Sequence, residues 1–375
     1  MKRKFKITSV IAVTLISLFI FSVSTFAVES NIDQYAEEFD FSSVISSVDD
    51  ETMSILKEIG IDEISYESVF SIEPTKVFRA LFNMVSTALK EPLQFSVITM
   101  GVLMLTTLLS SIVSSSESVS LVGGSVVALS AAVPIAKIVT TSFSVLETLG
   151  VFTTAFTGVF CAVVSSSGNF TASITHSALT VFSNALFSGL LSEFCQPVVS
   201  AMCSLGFLSC FDMFDFSTRF SGTVKKIYVF FMSFIGTVFS GIITVKGVLS
   251  DGVDSLTAKS IRFVVGRSLP VVGGTVSETY SALVSSLTLI KNTVGIFGII
   301  TVIVTVLPTL IDLLMWILVL EISISVSESF GTSKAMGMLN VLKDTLVLLV
   351  ATIVIVATIF IVSVGVVIAV KGGGV

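Results

Sequence analysis

The sequence predicts an all-α, polytopic membrane protein. We expect about seven or eight transmembrane helices after a cleaved signal peptide, accompanied by amphipathic interfacial helices. Of the 375 residues, 53% are hydrophobic and only 12% are charged, whereas a soluble domain carries about 25% charged residues. The mean hydropathy is +1.03, and several apolar runs are long enough to cross a bilayer. Lipid must therefore be the solvent for much of the chain.

Residues 1–27 have the pattern of a secretory signal peptide. A basic start that includes Lys2 and Arg3 precedes an apolar run over residues 7–23, and Ala27 offers a small residue at the cleavage position. This order is typical of an export signal. An uncleaved signal anchor is the alternative. Either way, the segment that follows is placed outside the cytoplasm.

Residues 28–73 form an acidic segment, which we expect to be extracytoplasmic. Between Glu29 and Glu73 there are 13 acidic residues and one lysine, Lys57. Apolar positions predict one or two short amphipathic helices, ended by Gly60. So short a segment has little core of its own, so it either packs on a partner or the membrane part, or is a flexible tether. No basic patch predicts a nucleic-acid partner.

Residues 74–92 predict an amphipathic interfacial helix. Its apolar stripe includes Val77, Phe78 and Phe82, while Lys76 and Arg79 lie off that stripe. Such a helix lies beside a bilayer with its basic residues near the headgroups.

Long apolar runs predict a transmembrane bundle in two parts, residues 93–245 and 293–375. The candidate spans are 93–113, 119–141, 143–164, 170–191, 194–211, 227–245, 294–320 and 345–370. The run 194–211 is short and contains Pro197, so it is either a full span or a re-entrant helix.

Residues 246–292, between the two parts, predict an amphipathic helix–turn–helix block. Ser250 is predicted to cap the first helix, because Asp251 and Asp254 follow in the first turn, where they complement the helix dipole. The positive-inside rule does not fix the side of this block, because the basic residues at 219–226 and those of the block fall on opposite sides if every run crosses once. We favour a cytoplasmic or interfacial block.

The turn of this block is predicted from Pro270 and the pair Gly273 and Gly274, since proline and glycine stop helices. Thr275 and Glu278 have the spacing of a capping box, which opens the second helix.

Ionisable residues in the apolar runs are the candidate functional groups, because a charge in lipid is costly. The candidate intramembrane polar residues are Asp312, Lys137, Glu147 and Glu193. The last three fit side chains that extend from span ends to the interface. Asp312 lies deep in a span, one turn after Pro308, and a pair with Lys137 is one arrangement that we consider.

The sequence predicts no catalytic, cofactor-binding or metal-binding residues, and therefore no enzyme. The single histidine, His176, rules out histidine-rich metal sites. Neither a G-x-S-x-G elbow nor a P-loop is present. The four cysteines lie in apolar stretches, which favours packing over disulfide bonding.

The run DGVDSLTAKSIRFVVGRSLPVVGGTVSETY, followed by LIKNTVGIFG, resembles the stage III sporulation protein AE family of endospore-forming bacteria. The resemblance extends more weakly over nearly all of the mature chain. It implies a multi-pass component of the channel between mother cell and forespore, a secretion- or feeding-tube-like complex needed for forespore development after engulfment. It also implies a place in the mother-cell membrane, with the N-terminal segment facing the space between the two membranes.

The same resemblance implies partners from the stage III sporulation operon, including a secretion-type ATPase and ring-forming proteins. Membrane lipid and further copies of the chain are the other expected partners. The alternative is an independent secondary transporter or permease with a polar site at the bilayer midplane, which would use Asp312 and glycine- or proline-broken helices. The channel component predicts co-purification with partner proteins, whereas the transporter predicts solute binding.

Overall fold

The computed structural model describes residues 39, 41–112, 116–211, 216–268 and 273–369, which fold into helices and turns without a strand. The predicted all-α class is therefore confirmed. The predicted signal peptide, residues 1–27, lies outside the described residues.

Three short helices form the described part of the acidic segment: α1 (Ser42–Ser46), α2 (Asp50–Ile59) and α3 (Tyr66–Phe70). The Asp49 carboxylate accepts the Thr52 N–H at 3.1 Å and so caps α2. Gly60 ends α2 with φ of 98°, a left-handed conformation that glycine adopts without a steric cost. The predicted helix end at Gly60 is confirmed.

These short helices pack on the long helices that follow. Val44, Leu56 and Ile61 are fully buried, and the Thr52 hydroxyl donates to Thr305 Oγ1 at 3.3 Å. Residues 41–73 therefore lie against the membrane part of the chain, and the flexible-tether alternative does not describe them.

The next pair is α4 (Pro74–Ala88) and α5 (Lys90–Ile112). Proline opens α4 at a position where its missing N–H costs nothing. Ala80 of α4 is buried, whereas Phe78 and Phe82 are 72% and 64% exposed. Large exposed aromatic side chains beside exposed Lys76 and Arg79 suit a helix at a bilayer surface.

The remaining helices are long. They are α6 (Ser116–Ser166), α7 (Phe170–Leu190), α8 (Gln196–Leu208), α9 (Phe216–Ser268), α10 (Gly273–Ser329) and α11 (Ser333–Ala369). A π-helical turn over Leu191–Cys195 joins α7 to α8, and a 3-10 turn over Ser209–Phe211 follows α8.

Six helical stretches of the described chain are long and apolar enough to cross a membrane. The predicted count of seven or eight is not confirmed, because two pairs of predicted spans are continuous. The runs 119–141 and 143–164 both lie in α6, and the runs 170–191 and 194–211 are joined through the π-helical turn. With 51 residues, α6 is about 76 Å long, far more than the ~30 Å hydrocarbon core of a bilayer.

Helix α11 lies at the centre of the bundle and packs against α6, α7, α8, α9 and α10. Close approach is possible because small residues stand at the contacts. A Cβ on Gly247 of α9 would overlap Val366, and one on Gly298 of α10 would overlap the Phe156 ring of α6.

The predicted helix–turn–helix block is continuous with the spans on either side. Helix α9 runs through residue 250 without a break, so Ser250 does not cap a helix as predicted; its hydroxyl donates to Lys246 O at 2.8 Å inside α9. Helix α9 ends at Ser268 and α10 begins at Gly273. Pro270 lies between them, outside the described residues.

Gly273 and Gly274 are the first residues of α10, and Thr275 and Glu278 follow within its first two turns. The side chains of residues 273–283 are outside the described part, so the capping box remains a prediction.

A charge-free layer crosses the bundle. It consists of residues 148–166 of α6, 170–192 of α7 and the π-helical turn, 227–245 of α9, 292–311 of α10 and 345–369 of α11. These stretches of 19 to 25 residues correspond to about 30 Å or more of helix. Contacts place them side by side, as when Phe187 meets Phe239 and His176 meets Ser363.

Candidate functional site

Ionisable residues collect at one side of the charge-free layer, toward the turn between α10 and α11. We call this set the charged belt. Its members are Glu91, Lys137, Glu147, Glu193, Lys225, Asp312, Glu321, Lys343 and Asp344. All four of the polar residues predicted from the sequence belong to this belt.

Two ion pairs of the belt join α11 to its neighbours. Asp344 pairs with Lys225 of α9, and the adjacent Lys343 donates to Glu321 Oε2 of α10 at 2.6 Å. The Asp344 side chain is only 12% exposed. Because adjacent residues point in different directions from a helix, the two pairs connect α11 to two helices at once.

A second part of the belt lies between α5, α6 and α10. Glu91, Lys137 and Asp312 line a cavity of about 180 Å³, together with Pro134 and Trp316. Lys137 Nζ lies 2.8 Å from Glu91 Oε1. The structure thus brings Lys137 and Asp312 to one cavity, but the ion-pair partner of Lys137 is Glu91.

Asp312 is half-buried and forms no hydrogen bond or ion pair within the described chain. It lies four residues after Pro308, which is inside α10, and Pro134 lies three residues before Lys137 inside α6. Proline removes a backbone hydrogen bond and leaves a carbonyl open. The cavity therefore combines two carboxylates and an ammonium group beside Pro134 of α6.

Glu147 and Glu193 lie away from this cavity. Glu147 is exposed at the end of a groove of about 740 Å³ between α6, α7 and α11. Glu193 is exposed in the π-helical turn. Neither residue forms an ion pair with the described residues.

Ionisable groups also bound the opposite side of the charge-free layer. The Asp254 carboxylate accepts the backbone N–H groups of Thr171 at 3.0 Å and Ala172 at 2.9 Å. A carboxylate at this place satisfies open N–H groups and the positive end of the α7 dipole. One turn before Asp254 on α9, Ser250 Oγ lies 3.0 Å from Thr175 Oγ1 of α7, so Ser250 joins α9 to α7.

The single histidine lies inside the layer. His176 is buried; its Nδ1 is 3.0 Å from Ser363 Oγ, and the Phe160 ring packs edge-on against it. No carboxylate or thiol adjoins it as a catalytic partner within the described chain. Among the described residues no group of three or more His, Cys, Asp or Glu side chains could hold a metal ion.

All four cysteines are free. Cys210, in the 3-10 turn, donates to Met338 Sδ at 3.1 Å. Burial raises the pKa of the Cys210 thiol to about 11, so it stays protonated and unreactive at neutral pH.

Sequence reasoning missed Lys225, Glu321, Lys343 and Asp344. The available signal was the adjacent opposite charges of Lys343 and Asp344 at the start of the most apolar run. An isolated charge at such a place fits an interface anchor, but two opposite charges in sequence fit pairing inside a bundle.

Long apolar helices, a charge-free layer and a belt of ionisable residues at its edge define a polytopic α-helical membrane protein. The sequence profile of the family described as stage III sporulation protein AE (spore_III_AE) matches residues 54–371. The chain therefore belongs to the stage III sporulation protein AE family, and the predicted family is confirmed.

The stage III sporulation protein AE of Bacillus subtilis (strain 168) is similar to this chain. The two are 24% identical over 208 residues, which cover 55% of this chain and 52% of the relative. The chain thus aligns with about half the length of that relative. No solved structure matches the chain.

Proposed function

We propose that this protein is a multi-pass membrane component of a channel complex between the mother cell and the forespore, needed for forespore development after engulfment. The observation that carries the proposal is the family match over residues 54–371. Its place would be the mother-cell membrane, and its role would be structural, without enzyme activity or a cofactor.

The packing of the bundle supports a structural role. Ion pairs of the belt join α11 to α9 and α10, and α11 contacts five helices. Such packing favours fixed helix positions, because separating α9 from α11 would leave the largely buried Asp344 carboxylate without its partner. This suits a component that keeps its shape while others assemble around it.

The N-terminal segment offers a surface for those partners. While the N-terminal segment buries Leu56 and Ile59 against the bundle, its outer side exposes acidic groups of α2, of α3 and of the turn between them. These exposed groups are Asp50, Glu51, Glu58, Asp62, Glu63 and Glu67. We propose that this face lies outside the cytoplasm and meets basic surfaces of the ring-forming proteins, while the secretion-type ATPase meets the cytoplasmic side.

The alternative function is an independent secondary transporter, and the cavity of Glu91, Lys137 and Asp312 favours it. Two carboxylates and one ammonium group leave the cavity with a net negative charge, which would attract a cation. This arrangement predicts solute uptake that needs no partner protein and is lost in Asp312→Asn.

Deletion of the gene in the native host tests the proposal. We expect normal growth, normal solute uptake and a block in forespore gene expression after engulfment, restored by the wild-type chain and by Asp312→Asn. If the deletion strain instead forms normal spores but takes up a solute abnormally, and Asp312→Asn does not restore that uptake, the protein is a transporter and the channel proposal is wrong.

A pull-down from sporulating cells tests the acidic face. In the full chain, the double variant Asp62→Lys, Glu63→Lys should reduce recovery of the ring-forming proteins at least about fivefold, since like charges would then meet at the contact. The matched control is Lys57→Glu on the same segment, which should keep recovery at the wild-type level. Equal recovery with all three chains would remove the acidic face from the contact.

A further inference from the structure

A groove of about 740 Å³ lies between α6, α7 and α11. Its floor is apolar and buried, with Leu149, Phe187 and Ile359 among its residues. Its edges are exposed: Val151 and Thr154 stand on α6, and Ser188 stands on α7. The groove therefore opens sideways from the bundle, within the charge-free layer.

The two ends of the groove differ in polarity. The end at the charged belt carries Glu147 of α6 with Ser192 and Gln196 of the α7–α8 segment, and all three residues are exposed. The other end, toward Thr180 and Ser363, lies inside the charge-free layer. The groove thus starts at the level of the belt and runs into the apolar layer.

The length and volume of the groove limit which ligands it can hold. The groove follows α6 from residue 143 to residue 155, which is about 18 Å at 1.5 Å per residue. An extended lipid acyl chain is of similar length, because two such chains, one from each leaflet, fill a hydrocarbon core of about 30 Å. Pockets of about 300–1,000 Å³ bury most of a small ligand.

We propose that this groove is a binding site for one acyl chain of a phospholipid whose headgroup carries an ammonium group. The chain lies along Leu149, Phe187 and Ile359, and the headgroup lies at the charged belt. There the Glu147 carboxylate accepts hydrogen bonds from the ammonium group, and the Gln196 amide donates to the phosphate. A carboxylate at the mouth disfavours anionic headgroups, so charge complementarity selects phosphatidylethanolamine over phosphatidylglycerol.

A matched pair of glycine variants tests whether a lipid acyl chain occupies the groove. Gly150 lines the groove, and a Cβ built there meets no atom within 4 Å, so Gly150→Leu fills the groove without a backbone clash. Gly158 lies on the same helix, also meets no atom within 4 Å and does not line the groove. Gly158→Leu is therefore the control.

The full chain is reconstituted in vesicles of equal parts phosphatidylethanolamine and phosphatidylglycerol, extracted in mild detergent and weighed by native mass spectrometry. The wild type and Gly158→Leu should retain one phosphatidylethanolamine, and Gly150→Leu should retain at least about fivefold less. Glu147→Gln should retain lipid but lose most of the preference for phosphatidylethanolamine, since the carboxylate provides it.

Equal retention by Gly150→Leu and Gly158→Leu would overturn the proposal. So would a loss of dimers or larger assemblies in Gly150→Leu with unchanged lipid, because a second copy of the chain would then occupy the groove. Retained lipid with no headgroup preference in the wild type would overturn the assignment of Glu147.

Discussion

Helices α9 and α11 are both apolar enough to cross a bilayer, but they occupy opposite environments. In the most apolar stretch of α11, 56% of the residues are buried, against 22% in α9. Helix α11 touches helices on all sides, whereas α9 exposes Phe230, Phe234 and Val238 along one face. The more buried α11 is also the more apolar of the two, and α9 is still apolar enough to cross, because lipid and the protein interior are both apolar surroundings for a helix.

The two faces of α9 show how a helix at the edge of the bundle divides its side chains between protein and lipid. Its buried face carries Tyr228, Gly236, Gly247, Ser250 and Asp254 at helical spacing. Its exposed face carries large apolar side chains. Met232, Phe239 and Ile243 are buried as well, so the small and polar residues, rather than apolarity, mark this face as the helix contact.

Replacing one glycine on each of these two faces with leucine should give the largest difference in stability. In Gly247→Leu the new side chain would overlap Val366 of α11, and we expect a loss of about 3 kcal/mol of stability, the upper end of the typical range for overpacking. Gly241→Leu is the control, since no atom lies within 4 Å of its Cβ. The measurement is thermal loss of the monodisperse peak in detergent; similar midpoints for the two variants would contradict the packing of α9 on α11.

Most of the architecture could be predicted from the sequence. The all-α class, the polytopic nature and the end of α2 at Gly60 follow from composition and local chemistry. The span count could not be predicted, because a charge-free turn and a continuation of the same helix look alike in hydropathy. Only tertiary packing decides that residues 119–164 form one helix in α6.

The role of the predicted polar residues stays a prediction, but their positions at the edge of the layer follow from the sequence for a related reason. Lys137, Glu147, Glu193 and Asp312 stood out as charges next to apolar runs, and all four lie in the charged belt. Ser250 was misassigned, because a serine before two aspartates has the pattern of a helix start, while the apolar contacts of α9 continue the helix through it.

The ion pair between Lys225 and Asp344 should give the next largest effect. Asp344→Ala leaves a partly buried ammonium without its partner, so we expect a loss of about 2 kcal/mol, between the values for exposed and fully buried pairs. The neighbouring Lys226 is exposed, so Lys226→Ala should change stability by less than about 0.5 kcal/mol. Measured by denaturation, the loss of stability in the double variant Lys225→Ala, Asp344→Ala should be smaller than the sum of the losses in the two single variants. Strict additivity of these losses would refute the pairing.

The contact between the N-terminal segment and α10 should contribute less to stability than the ion pair between Lys225 and Asp344. Thr52→Val removes the hydrogen bond to Thr305 and should cost about 1 kcal/mol. Thr305 keeps its bond to Thr301 O at 2.8 Å, so no buried hydroxyl is left without a partner. Limited proteolysis should cut residues 41–73 faster in this variant than in Ser54→Ala, which changes an exposed serine of α2. Equal cleavage would mean that this hydrogen bond does not hold the segment.

Breaking the exposed ion pair of the belt, between Lys137 and Glu91, should give the smallest loss of stability. Lys137 and Glu91 are 65% and 57% exposed in their side chains, so water screens the attraction and Lys137→Met should cost no more than about 1 kcal/mol. Raising the salt concentration to about 1 M shortens the screening length to about 3 Å, and should bring the wild type and Lys137→Met together. Asp344→Ala should keep most of its deficit at the same salt concentration, because a buried pair is screened less. If Lys137→Met instead cost as much as Asp344→Ala at both salt concentrations, the cavity of Glu91, Lys137 and Asp312 would belong to the interior of the protein, and its charges would act as a structural network like those around α11.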